Sequence, residues 1–291
     1  MAKVMDDIRV GDIAIAPVVD DAHTRFDALN LFPDATEASL AAEFSWMLPD
    51  FYDPATKAFK SVVQGFVFKA GGKTVLVDTC VGNDKPGRSN PRWTNAKFPF
   101  LENLAAAGVT PKDVDVVLCT HLHVDHCGWN TRLDNGKWVP TFPNAEYLTN
   151  AAEMAALEKR RDHGPAFYKS LYEDSMLPVL KSGQAVTVAM DHKVTSGVAL
   201  EPSPGHTPGH ISVRIGEGKS AAVAIGDMMH HPIQAVHPEW NSRHCEIPDL
   251  ARKTRREFLE RIADTGAWVL PGHFAPCRAR RHGAAFRFDF G

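Results

Sequence analysis

Four potential metal ligands crowd into six residues of the segment Thr120–Gly128: His121, His123, Asp125 and His126. Imidazole and carboxylate are the donors that bind Zn²⁺ and its first-row neighbours. The segment directly follows Val114–Cys119, a β-branched run with the character of a fully buried strand. A loop leaving a strand end aims alternate side chains in one direction. His121 and His123 then converge on one point, and Asp125 and His126 on a point nearby. Divalent sites take about four to six donors, and the rest of the chain offers more. His206 lies in the Gly/Pro-fixed turn Ser203–His210, Asp227 follows Ile225-Gly226, and His273 follows Pro271-Gly272. Each alone reads as a turn histidine or a capping aspartate. Together they repeat one pattern of strand, glycine, ligand.

These motifs need strands to carry them. Val62–Lys69 and Lys73–Asp78 read as a hairpin turned at Gly71-Gly72. Phe100–Ala107 reads as a helix stopped at Gly108, and Ala145–Thr149 as a strand. Asn150 caps a helix ending near Gly164, with Glu153 as its capping-box partner. A second helix fills Ala166–Leu180. Further strands are expected at Ala185–Ala189, Val198–Pro202, Ile211–Ile215, Ala221–Ile225 and Trp268–Leu270, with Gly216–Gly218 turning a hairpin. Asp249 caps a helix to about Ala263, whose Arg252, Lys253, Arg255 and Arg256 read as a solvated face. Sheets covered by helices are expected. Residues 1–60, broken by Pro17, Pro33, Pro49 and Pro54, read as an irregular arm or lid packed on the core or on a partner subunit. Residues 61–291 read as one domain.

Composition narrows the function classes. The chain has 291 residues, 32 Lys plus Arg against 35 Asp plus Glu, and a net charge of −3. It has no general electrostatic attraction for nucleic acid or an anionic membrane. Its five cysteines, Cys80, Cys119, Cys127, Cys245 and Cys277, form no Cys-x-x-Cys pair. They read as reduced in a cytoplasmic protein, and Cys80, Cys119 and Cys127 as small buried residues. Met1–Val19 carries Asp6, Asp7 and Asp12 and lacks the apolar stretch of a secretory signal.

The order HxHxDH, GHTPGH, GD, GH resembles the metallo-β-lactamase superfamily, over His121 to His273. The resemblance implies a four-layer αβ/βα sandwich with a dinuclear metal site on its edge. Carried over by residue, His121, His123 and His206 hold one metal. Asp125, His126 and His273 hold the other, and Asp227 bridges both. Zinc is the default; manganese, iron or cobalt suit the same donors. Two cations about 3.5–4 Å apart share a hydroxide made from water of lowered pKa, which attacks a carbonyl or phosphorus centre. Asp227 is the expected proton shuttle to the leaving group, and Asp125 serves the second metal.

Within the superfamily, the arm, Asp78-Thr79-Cys80 and Gly226–Pro232 resemble the lactonase and organophosphate-hydrolase branch. Some quorum-quenching lactonases carry a tyrosine three residues after the bridging aspartate; here His230 stands there, as in the organophosphate-hydrolase-like members. His230 is either a donor near the substrate oxygen or a histidine bonded under the metal loop. His210 reads as structural, and His231, His237 and His244 have no assigned role. Trp46, Phe51, Trp93, Trp129, Phe167 and Met229 are either walls of an apolar pocket or core. The leading expectation is a hydrolase of a small neutral ester-like molecule, a lactone first. An organophosphate triester or a dehalogenating reaction on the same site is the alternative. An iron-dependent oxidoreductase and a non-catalytic sensor are the other classes. A homodimer through the aromatic arm is also expected.

Overall fold

The computed structural model describes residues 8–218 and 221–290. Asp6 and Asp7 of the N-terminal stretch therefore lie outside the described residues. In chain order the strands are β1 (Ile8–Val10), β2 (Ile13–Asp27), β3 (Tyr52–Asp53), β4 (Ala58–Ala70), β5 (Lys73–Val77) and β6 (Val116–Leu118). Next come β7 (Thr131–Asp134), β8 (Lys137–Pro140), β9 (Glu146–Thr149), β10 (Ala185–Thr187), β11 (Lys193–Thr195) and β12 (Val198–Pro202). Then follow β13 (Ile211–Ile215), β14 (Ala222–Gly226), β15 (Trp268–Pro271), β16 (Cys277–His282) and β17 (Ala285–Asp289).

One sheet has the order β1-β2-β4-β5-β6-β9-β10, with β3 added on β4. The other runs β11 to β17 in sequence order, and β7 and β8 form a separate hairpin. Side-chain alternation explains how the sheets stack. Phe66, Phe68, Val75, Val77, Val116 and Leu118 of the first sheet meet Leu200, Val213, Ala222, Ala224 and Leu270 of the second in one buried cluster. The intervening residues face outward. Val67, Leu76, Val117 and Tyr147 pack with Phe100, Leu104, Leu157 and Val179. Val223, Ile225 and Val269 pack with Phe258, Leu259 and Ile262 of the helix Pro248–Ile262. The result is the expected four-layer αβ/βα sandwich.

The strand directions bring the motifs to one edge in each sheet. β5, β6, β9 and β10 are parallel. β12 and β14 are both antiparallel to β13, and β15 is parallel to β14. The C-terminal ends of β5 and β6, and those of β12, β14 and β15, therefore lie together, where open α/β sheets carry their sites.

Three local expectations are corrected. The first sixty residues are not an irregular arm throughout: β2 is a fifteen-residue strand paired along β4. Irregularities near Val19, Asp21 and Thr24 let it bend, and its pairing along β4 holds it in the sheet despite Pro17. Residues 28–57 pack Leu31, Phe32, Leu40 and Met47 with Phe59 of β4 against Ile233 and Trp240. Arg255 does not face solvent. Its guanidinium is fully buried and donates to the carbonyls of Met228, Pro238 and Trp240 and to Asn241 Oδ1. Asn150 accepts from Glu153 N as a cap, but the Glu153 carboxylate turns away from the helix end.

Candidate metal centre

Each donor arrives from a strand end and is aimed by a neighbour. Gly226 takes φ +46° as the last residue of β14, and a methyl there would overlap Thr120 Oγ1, so glycine lets the Asp227 turn press on the His121 loop. Asp227 N donates to His210 Nε2 at 3.1 Å, and Ser203 Oγ holds His210 Nδ1 at 2.8 Å. His210 is thus structural, as expected, and burial drives its pKa down to about 4.

The seven donors fall into two groups, His121, His123, His206 and Asp227 in one, Asp125, His126 and His273 in the other. Within each group the ligand atoms lie within 4.8 Å of one another. Asp227 joins them. Its Oδ2 lies 3.6 Å from His121 Nε2 and 3.3 Å from His206 Nε2. Its Oδ1 lies 3.1 Å from His126 Nε2 and 3.0 Å from His273 Nε2. Asp125 completes the second group, 3.6 Å from His273 Nε2. His206 Nε2 and His123 Nδ1 approach to 3.0 Å.

Four atoms at this centre, His121 Nε2, His123 Nε2, His126 Nε2 and Asp227 Oδ1, are buried without an aligned hydrogen-bond partner. Orphaned polar atoms are costly in a folded interior. Three of these four, all but His123 Nε2, point into the cluster, and cations are the species that convergent imidazole and carboxylate lone pairs satisfy. The donor set therefore fits a pair of divalent ions.

The opposite nitrogens are occupied. Asp78 Oδ2 lies 2.9 Å from His126 Nδ1 and accepts from Thr120 Oγ1, while its Oδ1 accepts from Thr120 N. His273 Nδ1 donates to Val62 O at 3.1 Å, and His121 Nδ1 is 3.2 Å from Thr120 Oγ1. These contacts leave each Nε2 free to ligate. Burial, with neighbouring cationic groups, holds His121 and His123 well below the usual imidazole range; burial does the same for His206. Burial also works against protonation of His126, but the Asp227, Asp78 and Asp125 carboxylates override it and raise its pKa. Burial would raise Asp227; the surrounding His126, His273, His230 and His206 hold it well below the carboxylate range instead.

The family model of the metallo-beta-lactamase superfamily matches residues 61–273. The chain belongs to the metallo-beta-lactamase superfamily. Among curated proteins, an N-acyl homoserine lactonase of Bacillus cereus is 30% identical over 144 residues, 50% of this chain and 49% of that protein. The chain thus spans about half the length of the lactonases it matches. Metallo-beta-lactamase domain-containing protein 1 of Xenopus laevis is 26% identical over 78% of this chain and 81% of its own. In fold, the hydrolase AbOPH superposes with a TM-score of 0.80 at 21% identity, covering 97% of this chain and 95% of AbOPH. AidC, a dizinc quorum-quenching lactonase, gives 0.79 at 19% identity, covering 98% and 97%.

Around this superfamily centre the pocket residues expected from sequence separate. Side-chain exposure reaches 12% at His123 and 11% at Asp125, against 5% or less at the other five donors, so the open side lies at these two. Trp129 is core: it stacks on Phe100 and donates to Asp20 Oδ1. Met229 is fully buried behind the second sheet. Trp46 and Phe51 pack on each other in the 28–57 segment, with Phe51 against Phe290. Trp93 and Phe167 stand one residue removed, behind Phe26 and Tyr168. Phe26 meets His273 edge-on at 5.9 Å, and Tyr168 lies 6.2 Å from His123.

Phe26, Tyr168, Glu246 and His244 were not singled out from sequence. No local motif marks them; they reach the site from a sheet strand, a helix and the 241–247 loop. His244 is exposed and stacks over His230 at 6.5 Å. His230 itself joins the centre: Nε2 lies 3.1 Å from Asp227 Oδ2 and 3.4 Å from Ser242 Oγ.

Proposed function

We propose that this chain is a dinuclear metal-dependent hydrolase of a small neutral ester-like substrate, with a lactone as the substrate class. The observation that carries the reading is the Asp227 carboxylate, whose two oxygens each face one histidine group. His121, His123 and His206 would hold one ion, Asp125, His126 and His273 the other, and Asp227 both. Zinc is the proposed metal, and the dizinc character of AidC supports it. When bound, such a pair supplies a nucleophile at neutral pH and polarises the substrate carbonyl.

The chain's own residues do the rest. Phe26 and Tyr168 flank the open side and offer apolar faces to an acyl portion. Burial lowers the His230 pKa, against the pull of Asp227, so the ring is neutral with one N–H to donate. That N–H, on Nε2, lies within reach of Asp227 Oδ2 and Ser242, where it can donate a hydrogen bond to the substrate oxygen as negative charge develops there. A histidine here, three residues after Asp227, also favours a phosphotriester as second substrate.

The test joins metal quantification to a panel of lactones of several chain lengths, a phosphotriester, aryl esters and a β-lactam. Two zinc ions per chain with lactone turnover are expected. Purified protein that takes up no divalent metal, or redox-active iron with oxygen consumption and no hydrolysis, ends the proposal.

A further inference from the structure

Of the five histidines in the two groups, His123 alone has an outward nitrogen, Nε2, that faces a free-standing carboxylate at the mouth: Glu246 Oε1, at 3.9 Å. His123 presents Nδ1 to the cluster, 3.0 Å from His206 Nε2, so its proton belongs on Nε2. Glu246 is not loose. Its backbone N donates to His206 O at 2.9 Å, and Arg160 Nε lies 3.0 Å from the same Oε1.

Arg160 is a node between three loops. Its Nη1 donates to Leu122 O beside His123, and its Nη2 to Glu153 Oε1. Glu153 in turn accepts from Leu122 N and from Gly209 N, the latter in the His206 turn. The guanidinium thus ties the carriers of His123, His206 and Glu246 together, and its outer face covers the Tyr168 ring at 5.3 Å.

We propose that Glu246, held by Arg160, is a positioning residue for His123: its negative charge fixes the imidazole proton on Nε2 and keeps the Nδ1 lone pair aimed at the cluster. The inference rests on the reading of the cluster as a dinuclear metal centre. A carboxylate hydrogen-bonded behind a ligating imidazole raises its donor strength, and losing such a partner weakens metal binding about 10- to 100-fold; at 3.9 Å, without an aligned hydrogen bond to Nε2, Glu246 acts through its charge, and the low end of that range is expected. Only the His121–His123–His206 group gains from Glu246, because His126 and His273 are held by Asp78 and Val62.

Chelator competition with Zn²⁺, read beside the absorption of the Co²⁺-loaded full-length protein, tests this in wild type, Glu246→Ala, Glu246→Gln and Arg160→Gln. Wild type should bind two ions. Glu246→Ala, Glu246→Gln and Arg160→Gln should each weaken one of them about 10-fold and leave the other unchanged, because each removes the charge or its anchor. Equal weakening of both ions, or affinities matching wild type in Glu246→Ala, overturns the role of Glu246 while the dinuclear reading stands. A wild type that binds no metal overturns both.

Discussion

Asp227 is the residue on which both histidine groups depend, because each of its oxygens faces a different one. Asn keeps the shape and replaces one oxygen with an N–H₂ that cannot ligate. Asp227→Asn should lose at least one ion per chain and about 100-fold or more in turnover, measured by metal analysis with steady-state kinetics; retention of both ions at full rate would contradict the bridging role. Asp78 is a second test. It grips His126 Nδ1 and the Thr120 backbone together, so Asp78→Ala should weaken the Asp125–His126–His273 ion about 10- to 100-fold, seen by chelator competition. The sequence marked the seven candidate ligands that the fold gathers, four by short-range spacing and His206, Asp227 and His273 by the repeated strand, glycine, ligand pattern. It did not show Glu246, Tyr168 or Phe26, whose nearness to the centre is a product of the fold. Nor did it separate Trp129 and Met229 from true walls, since a large apolar side chain looks alike in either place.

At the level of elements, the backbone approaches closely where the site loops leave the sheets. Gly65 on β4 sits against the Val77 and Asp78 carbonyls, and a methyl there would overlap them. Gly65→Ala should cost about 1–3 kcal/mol, read from denaturant midpoints, and should disturb the turn that carries Asp78. Asp20 on β2 anchors the next turn, accepting from Val81 N, Gly82 N and the Trp129 indole. Burial pushes its pKa from 3.8 up to about 7. Between those values the folded chain keeps a proton that the unfolded chain has released. The stability from this group is therefore full below about pH 4 and is lost as pH rises through about 7. Asp20→Asn should flatten that part of the stability-versus-pH curve in a comparison of denaturation at pH 5 and 8. Strands such as Val198–Pro202 and Ile211–Ile215 were legible to the residue because large apolar residues recur at every second position between turn residues. Cys277–His282, with three arginines and a histidine, is an exposed-side strand near the sheet edge whose pattern reads as loop. The β7–β8 hairpin carried its Asn135-Gly136 turn signal, but its half-exposed, charged strands masked it.

At the level of the whole molecule, the two sheets share an apolar layer that does not involve the site. Metal removal should leave the chain folded. Each ion held at a free concentration 100 times its Kd adds about 2.7 kcal/mol to stability. Chelator treatment should therefore lower the thermal midpoint by several degrees while unfolding stays cooperative, as scanning calorimetry would record; a midpoint indifferent to chelator would deny any linkage between ions and fold. That helices cover the sheets was legible in the mixed order of strands and helices, and the four-layer sandwich in the resemblance that the histidine motifs carry. The long β2 strand was not, because Pro17 and its acids hid its role in the first sheet.

All strands of the first sheet lie before residue 188 and all those of the second after residue 192. His121, His123, Asp125 and His126 therefore come from one half of the polypeptide, and His206, Asp227 and His273 from the other. A chain severed within 188–192 would keep each sheet whole and divide the centre between two pieces. Such a break would turn an intramolecular site into a report on whether two fragments have found each other.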